Sequence, residues 1–132
     1  MLKYLVLAVL TGFVFSSCAG TEPNQAEETS QQVKGIYEDL SAEIFKANYP
    51  KGLLLDVRTP EEYSEGHIEG ALNLDIYDKQ FSIELDKLDK TKPVYVYCKS
   101  GGRSSNASEI MKEKGFKEVY NLVGGYSGYP YK

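Results

Sequence analysis

Val94-Tyr95-Val96-Tyr97-Cys98-Lys99-Ser100-Gly101-Gly102-Arg103-Ser104 opens as an apolar, β-prone run and closes where a helical pattern begins. This order predicts a strand, a short Gly-containing loop and a helix from Ser104 to Lys114, capped by Gly115. The backbone N–H groups of such a loop converge on one point, and the start of the helix adds partial positive charge there. A cysteine released from the strand at that point is expected to carry a stabilised thiolate, with its pKa lowered. Lys99 is read as an outward-pointing cation that draws anions in. Gly101 and Gly102 open backbone conformations closed to other residues. Ser100 and Ser104 complete the ring of amides, and Arg103 ties the loop together through its fork of donors.

The number of residues in the loop narrows the chemistry. Cysteine-based phosphatases place five residues between cysteine and arginine, whereas here only Lys99, Ser100, Gly101 and Gly102 intervene. The smaller cradle suits one sulfur atom on the cysteine and is too tight for a tetrahedral phosphate. A buried structural cysteine beside a helix cap is the plain alternative.

The loop, read as C-x-x-G-x-R-S, resembles the active-site loop of the rhodanese family of sulfurtransferases. The resemblance extends through Leu53-Leu54-Leu55-Asp56-Val57-Arg58-Thr59-Pro60-Glu61-Glu62-Tyr63 and through Gly66-His67-Ile68-Glu69-Gly70-Ala71-Leu72-Asn73-Leu74. It continues in Val119-Tyr120-Asn121-Leu122-Val123-Gly124-Gly125-Tyr126. Three segments in order around the C-x4-R loop, over about residues 33–126, imply a three-layer α/β domain. Its expected core is a mainly parallel five-stranded sheet with helices on both faces. The resemblance also implies sulfur transfer through a Cys98 persulfide, with Arg58 and Asp56 beside the loop as tentative substrate neighbours. It is closest in kind to the secreted, single-domain members. The chain departs from the family by having no Trp, so the expected terminal helix is missing or reduced to a turn. Rhodanese-like folds also serve as non-catalytic docking modules, which keeps a binding role as the rival reading.

The remaining pattern fits one domain behind a leader. Residues 1–17 combine Lys3 with an apolar stretch too short to span a bilayer, and read as a signal peptide. Small residues before Cys18 suggest a lipoprotein signal with Cys18 lipidated; ordinary cleavage after Ala19 is the rival. Residues 18–32 read as a disordered tether and 33–132 as the domain. The expected location, after export across a bacterial inner membrane, is the periplasm or the outer membrane, with membrane contact through the lipid anchor alone.

Within the domain, a strand is expected over residues 33–37, followed by a helix N-capped by Ser41. A buried strand covers residues 53–57. Thr59-Pro60-Glu61-Glu62 is a capping box with Pro at the first helical position. A strand over residues 71–74 and a weak helix over 78–88 come next, and the last strand covers 119–122.

Charge and cysteine count bound the partners. The 15 basic and 19 acidic residues give a net charge of −4, and loss of Lys3 makes it −5. That balance argues against nucleic acid as a partner. Lys99, Arg103 and Arg58 would make a cationic mouth on this acidic body, suited to a small anionic sulfur donor. Cys18 and Cys98 are the only cysteines. With Cys18 lipidated no second thiol resolves an intermediate on Cys98, so an external thiol or other thiophile must accept the sulfur. A monomer is expected and no cofactor is required. His67, the single histidine, is read as structural, and one histidine with one available cysteine cannot furnish a metal site.

Overall fold

The computed structural model describes residues 34–132. The expected signal, Cys18 and tether lie outside the described residues. Five strands and four helices alternate: β1 (Ile36–Leu40), α1 (Ala42–Asn48), β2 (Leu53–Asp56), α2 (Pro60–Ser64), β3 (Leu72–Asn73), α3 (Phe81–Asp86), β4 (Val94–Tyr97), α4 (Gly102–Glu113) and β5 (Glu118–Leu122). The sheet has the order β1-β5-β4-β2-β3, and every pairing is parallel.

Alternation along β4 divides the core into two layers. Val94, Val96 and Cys98 point to the face covered by Phe81 and Leu85 of α3 and by Ala107 and Met111 of α4. Tyr95 and Tyr97 point to the opposite face, against Phe45 of α1, Ile68 and Tyr129. The expected helices on both faces are therefore present.

The local signals placed most elements. Ser41 accepts the Ile44 N–H at 3.4 Å to cap α1, and the Thr59–Glu62 capping box closes α2 from both sides. Four expectations shift. β1 begins at Ile36 rather than at residue 33, because its ladder with β5 starts where Ile36 N–H donates to Lys117 O at 2.8 Å. α4 starts at Gly102, two residues early, because Gly101 takes a left-handed conformation (φ +106°) and turns the chain straight into the helix. β3 shrinks to Leu72 and Asn73, and α3 to six residues.

No terminal helix follows β5; residues 123–128 form turns. Tyrosines fill the layer instead. Tyr129 is buried, Tyr131 packs edge-on against it at 5.4 Å between ring centres, and Tyr126 lies 6.1 Å from Tyr97. The C-terminal edge is thus closed by aromatic packing without a tryptophan.

Candidate active site

The chain leaves β2 toward β3 on one side and β4 toward β5 on the other, so β2 and β4 flank the point where the winding reverses. Ligands of open parallel sheets bind beyond the strand ends at such a point. Cys98 follows β4 there, and Arg58 follows β2.

The Cys98 sulfur is surrounded by donors. Gly101 N–H reaches Sγ at 3.0 Å, and the Ser104 hydroxyl lies 3.4 Å from it. Burial raises the thiol pKa. The Ser104 hydroxyl and the amides of Ser104, Gly101 and Ser100 outweigh burial and bring it below the ordinary cysteine value. The donors thus stabilise the thiolate relative to that of an ordinary cysteine.

Access to the sulfur is what the plain alternative, a buried structural cysteine, expects. Cys98 is only 1% exposed and packs with Leu55, Val57 and Met111. Its neighbours Lys99, Ser100 and Gly102 are exposed. The sulfur is thus the floor of the loop rather than part of an open mouth.

Arg103, expected to tie the loop together through its fork of donors, directs that fork to Glu62 of α2: Nη1 to Oε2 at 2.7 Å and Nη2 to Oε1 at 2.8 Å. Glu62 Oε2 also accepts the Thr59 N–H at 3.2 Å. One carboxylate therefore caps α2 and holds the start of α4. Arg103 lowers the Glu62 carboxyl to about 2 against an opposing effect of burial. Glu62 raises Arg103 in turn, and the nearby Cys98 thiolate adds to that effect.

Asp56 is sealed from solvent. It is 0% exposed and accepts hydrogen bonds from Arg58 N–H at 2.9 Å and from the Arg58 guanidinium at 2.7–3.1 Å. Arg58 is 4% exposed, donates also to Gly66 O at 2.7 Å, and lies 4.4 Å from the Tyr126 ring centre. A buried pair so fully bonded braces the ends of β2 and α2. Arg58 still forms part of the wall of a cleft of about 220 Å³, together with Glu62, Glu65, Lys99, Tyr126 and Lys132. Carboxylates offset the arginines, so the expected cationic mouth reduces to Lys99 and Lys132.

The Gly124-Gly125 turn backs the loop. Tyr126 N–H donates to Cys98 O at 2.8 Å and Ser127 N–H to Lys99 O at 2.9 Å. Gly125 sits so close that a Cβ there would lie 2.5 Å from the Lys99 carbonyl carbon. Neither this clasp nor the Glu62 clamp was assigned from sequence. The double glycine and the capping box were visible, but their partners lie far along the chain. His67 stacks on Tyr63 with ring centres 3.7 Å apart and donates from Nδ1 to Tyr63 O at 2.9 Å, a structural setting.

A parallel α/β domain with an amide-ringed cysteine at its switch point defines a class of thiolate-loop proteins. The sequence comparisons make the assignment specific. Residues 37–130 match the rhodanese-like domain, and the chain belongs to that family.

The chain is 40% identical over 91 residues to the uncharacterized protein YqhL of Bacillus subtilis, covering 69% of this chain and 71% of that one. It is 45% identical over 74 residues to the thiosulfate sulfurtransferase GlpE of Coxiella burnetii, covering 56% and 67%. The rhodanese-related protein of Thermoplasma volcanium superposes with a TM-score of 0.63 at 28% identity, covering 70% of this chain and 90% of that one. A tRNA uridine(34) hydroxylase of Pelagibacter ubique is 42% identical over 78 residues, 58% of this chain, but the match spans only 26% of that protein.

Proposed function

We propose that this protein is a sulfurtransferase that carries sulfane sulfur on Cys98. The Cys98 thiolate attacks the outer sulfur of a donor such as thiosulfate. The donor S–S bond breaks, sulfite departs with the bonding electron pair, and Cys98 holds a persulfide. A thiophilic acceptor, cyanide in an assay or an external thiol, then attacks the terminal sulfur and releases the Cys98 thiolate. Attack on sulfur requires no general acid or base, which suits a loop without a histidine. The amides around the loop stabilise the anionic terminal sulfur.

The observation that carries this reading is the Gly101 N–H directed at Cys98 Sγ at 3.0 Å. The test is sulfite release from thiosulfate with cyanide, together with intact mass after thiosulfate alone. A gain of about 32 Da, one sulfur atom, is expected on Cys98 and none in Cys98→Ser. Folded, reduced protein that gains no mass would refute the persulfide.

The covered sulfur favours a second reading, a docking module without turnover. Equal partner affinity in wild type and Cys98→Ser, with no sulfite released, would support it. Hydrolysis of an aryl phosphate ester would instead revive the phosphatase reading. In the proposed setting residues 1–17 direct export and Cys18 carries the lipid anchor, with the domain acting as a monomer at a periplasmic membrane surface. Intact mass of the membrane-extracted protein tests this; an unlipidated Cys18 overturns it.

A further inference from the structure

On the α4 face, away from the Lys99 cleft, a second cavity of about 120 Å³ opens between β1, β5 and α4. Asp39, Asn121, Ser105 and Glu109 are among its lining residues. Asp39 and Asn121 face each other across the β1–β5 ladder. Asn121 Nδ2 donates to Asp39 Oδ1 at 2.8 Å, which fixes the orientation of the amide. Flipping it would set oxygen against oxygen. Asn121 Oδ1 then has no hydrogen-bond partner among the described residues, in a residue only 7% exposed. A buried acceptor left unmatched is destabilising, so its placement calls for a donor.

The surroundings specify what kind of donor. The lining includes Glu38, Asp39 and Glu109 but no lysine or arginine. Glu109 lies 3.8 Å from Lys112, while Glu38 and Asp39 have no cationic partner among the described residues. The described residues hold no group of metal-ligating side chains. A planar cation with several N–H donors can meet both the amide oxygen and the neighbouring carboxylate. Residues 18–32 contain no lysine or arginine, so that segment does not supply one.

We propose that this notch binds a guanidinium group, with Asn121 Oδ1 and the Asp39 carboxylate as its acceptors. The group comes either from a free small molecule or from an arginine side chain of a partner. The site is separate from the persulfide loop, and the proposal does not depend on sulfur transfer.

Titration of the full chain with millimolar methylguanidinium, followed by amide and side-chain NMR, tests it. Saturable shifts at the Asn121 side-chain amide and at Ser105 and Ser108 are expected. Asp39→Asn, at an exposed position, and Asn121→Leu should each weaken binding by roughly tenfold. Tetramethylammonium, which lacks N–H donors, should produce no such shifts. Tighter binding of a short arginine peptide than of methylguanidinium points to a protein source; equal binding points to a free ligand. Equal response to tetramethylammonium, no saturation, or unchanged affinity in Asp39→Asn overturns the proposal.

Discussion

The Glu62 carboxylate grips Arg103 through two parallel hydrogen bonds of 2.7 and 2.8 Å, joining the first turn of α2 to the first turn of α4. This bond holds the first turn of α4, which Gly101 starts, and with it the amides of residues 100–104. A planar fork of this kind is more directional than a single lysine contact.

Because Glu62 titrates at about 2 in the fold, against an ordinary 4.5, its contribution has a definite pH window. Folding is favoured by the ionised form, so the contribution is fully present above about pH 4.5 and is lost as pH falls toward 2. Glu62 and Arg103 are each about a quarter exposed, and solvent reduces the pair to about 1 kcal/mol. Urea unfolding should show Glu62→Gln less stable than wild type by that amount at pH 7. The gap should narrow steadily below pH 4.5, and a gap unchanged at pH 3 would exclude the clamp as its origin.

The Ser104 hydroxyl is the first-ranking influence that lowers the Cys98 pKa. Ser104→Ala should therefore raise that pKa, visible as an upward shift in the pH profile of iodoacetamide alkylation. A weak hydrogen bond of about 0.7 kcal/mol corresponds to a roughly threefold slower reaction at pH 7. An unshifted profile would assign the thiolate to the amides alone.

Gly125 and Gly115 both have positive φ, +58° and +85°, but different surroundings. A Cβ at Gly115 meets nothing within 4 Å, whereas at Gly125 it meets Cys98 O at 2.6 Å as well as the Lys99 carbonyl. Gly115→Ala should cost about 1 kcal/mol from backbone strain alone. Gly125→Ala should cost roughly 3 kcal/mol or more and slow Cys98 alkylation as well, since the backbone holding the loop must move. Equal penalties at the two positions would mean that the turn does not back the loop.

These contrasts mark what a linear reading reaches. The Thr59–Glu62 capping box spans three residues, so its chemistry is local and the sequence shows it. The second duty of Glu62, at Arg103, spans 41 residues and depends on how the two helices meet. Cys98 at a strand end and Gly101 in the turn were legible because residue type dictates backbone there. The coverage of the sulfur was not, since it depends on the sheet–α4 packing. Likewise the register of β1 is set by β5, from the far end of the domain.

Lys99 and Lys132 are the cations bordering the cleft that the arginine–carboxylate pairs do not offset. On the proposed chemistry, Lys99→Glu should lower kcat/KM for thiosulfate by about fivefold at low salt, chiefly through KM. The difference should shrink as ionic strength rises and the Debye length falls to about 8 Å. A loss independent of salt would point to loop distortion instead of attraction.

A sulfur whose thiolate is stabilised by donors yet almost wholly covered carries a prediction that neither property makes alone. Its thiolate character should speed reaction with small electrophiles, while the packing that leaves Cys98 1% exposed should exclude large ones. Relative to free cysteine, methyl methanethiosulfonate should therefore react much faster than the bulky aromatic disulfide DTNB, by about a hundredfold in the ratio of rates. That figure corresponds to about 2.7 kcal/mol for opening the loop wide enough to admit the larger reagent. The ratio should collapse toward one in unfolding concentrations of urea, where the cover is gone. If native protein shows no size preference, the loop opens freely in solution, and the cover would then not explain which donors reach the sulfur.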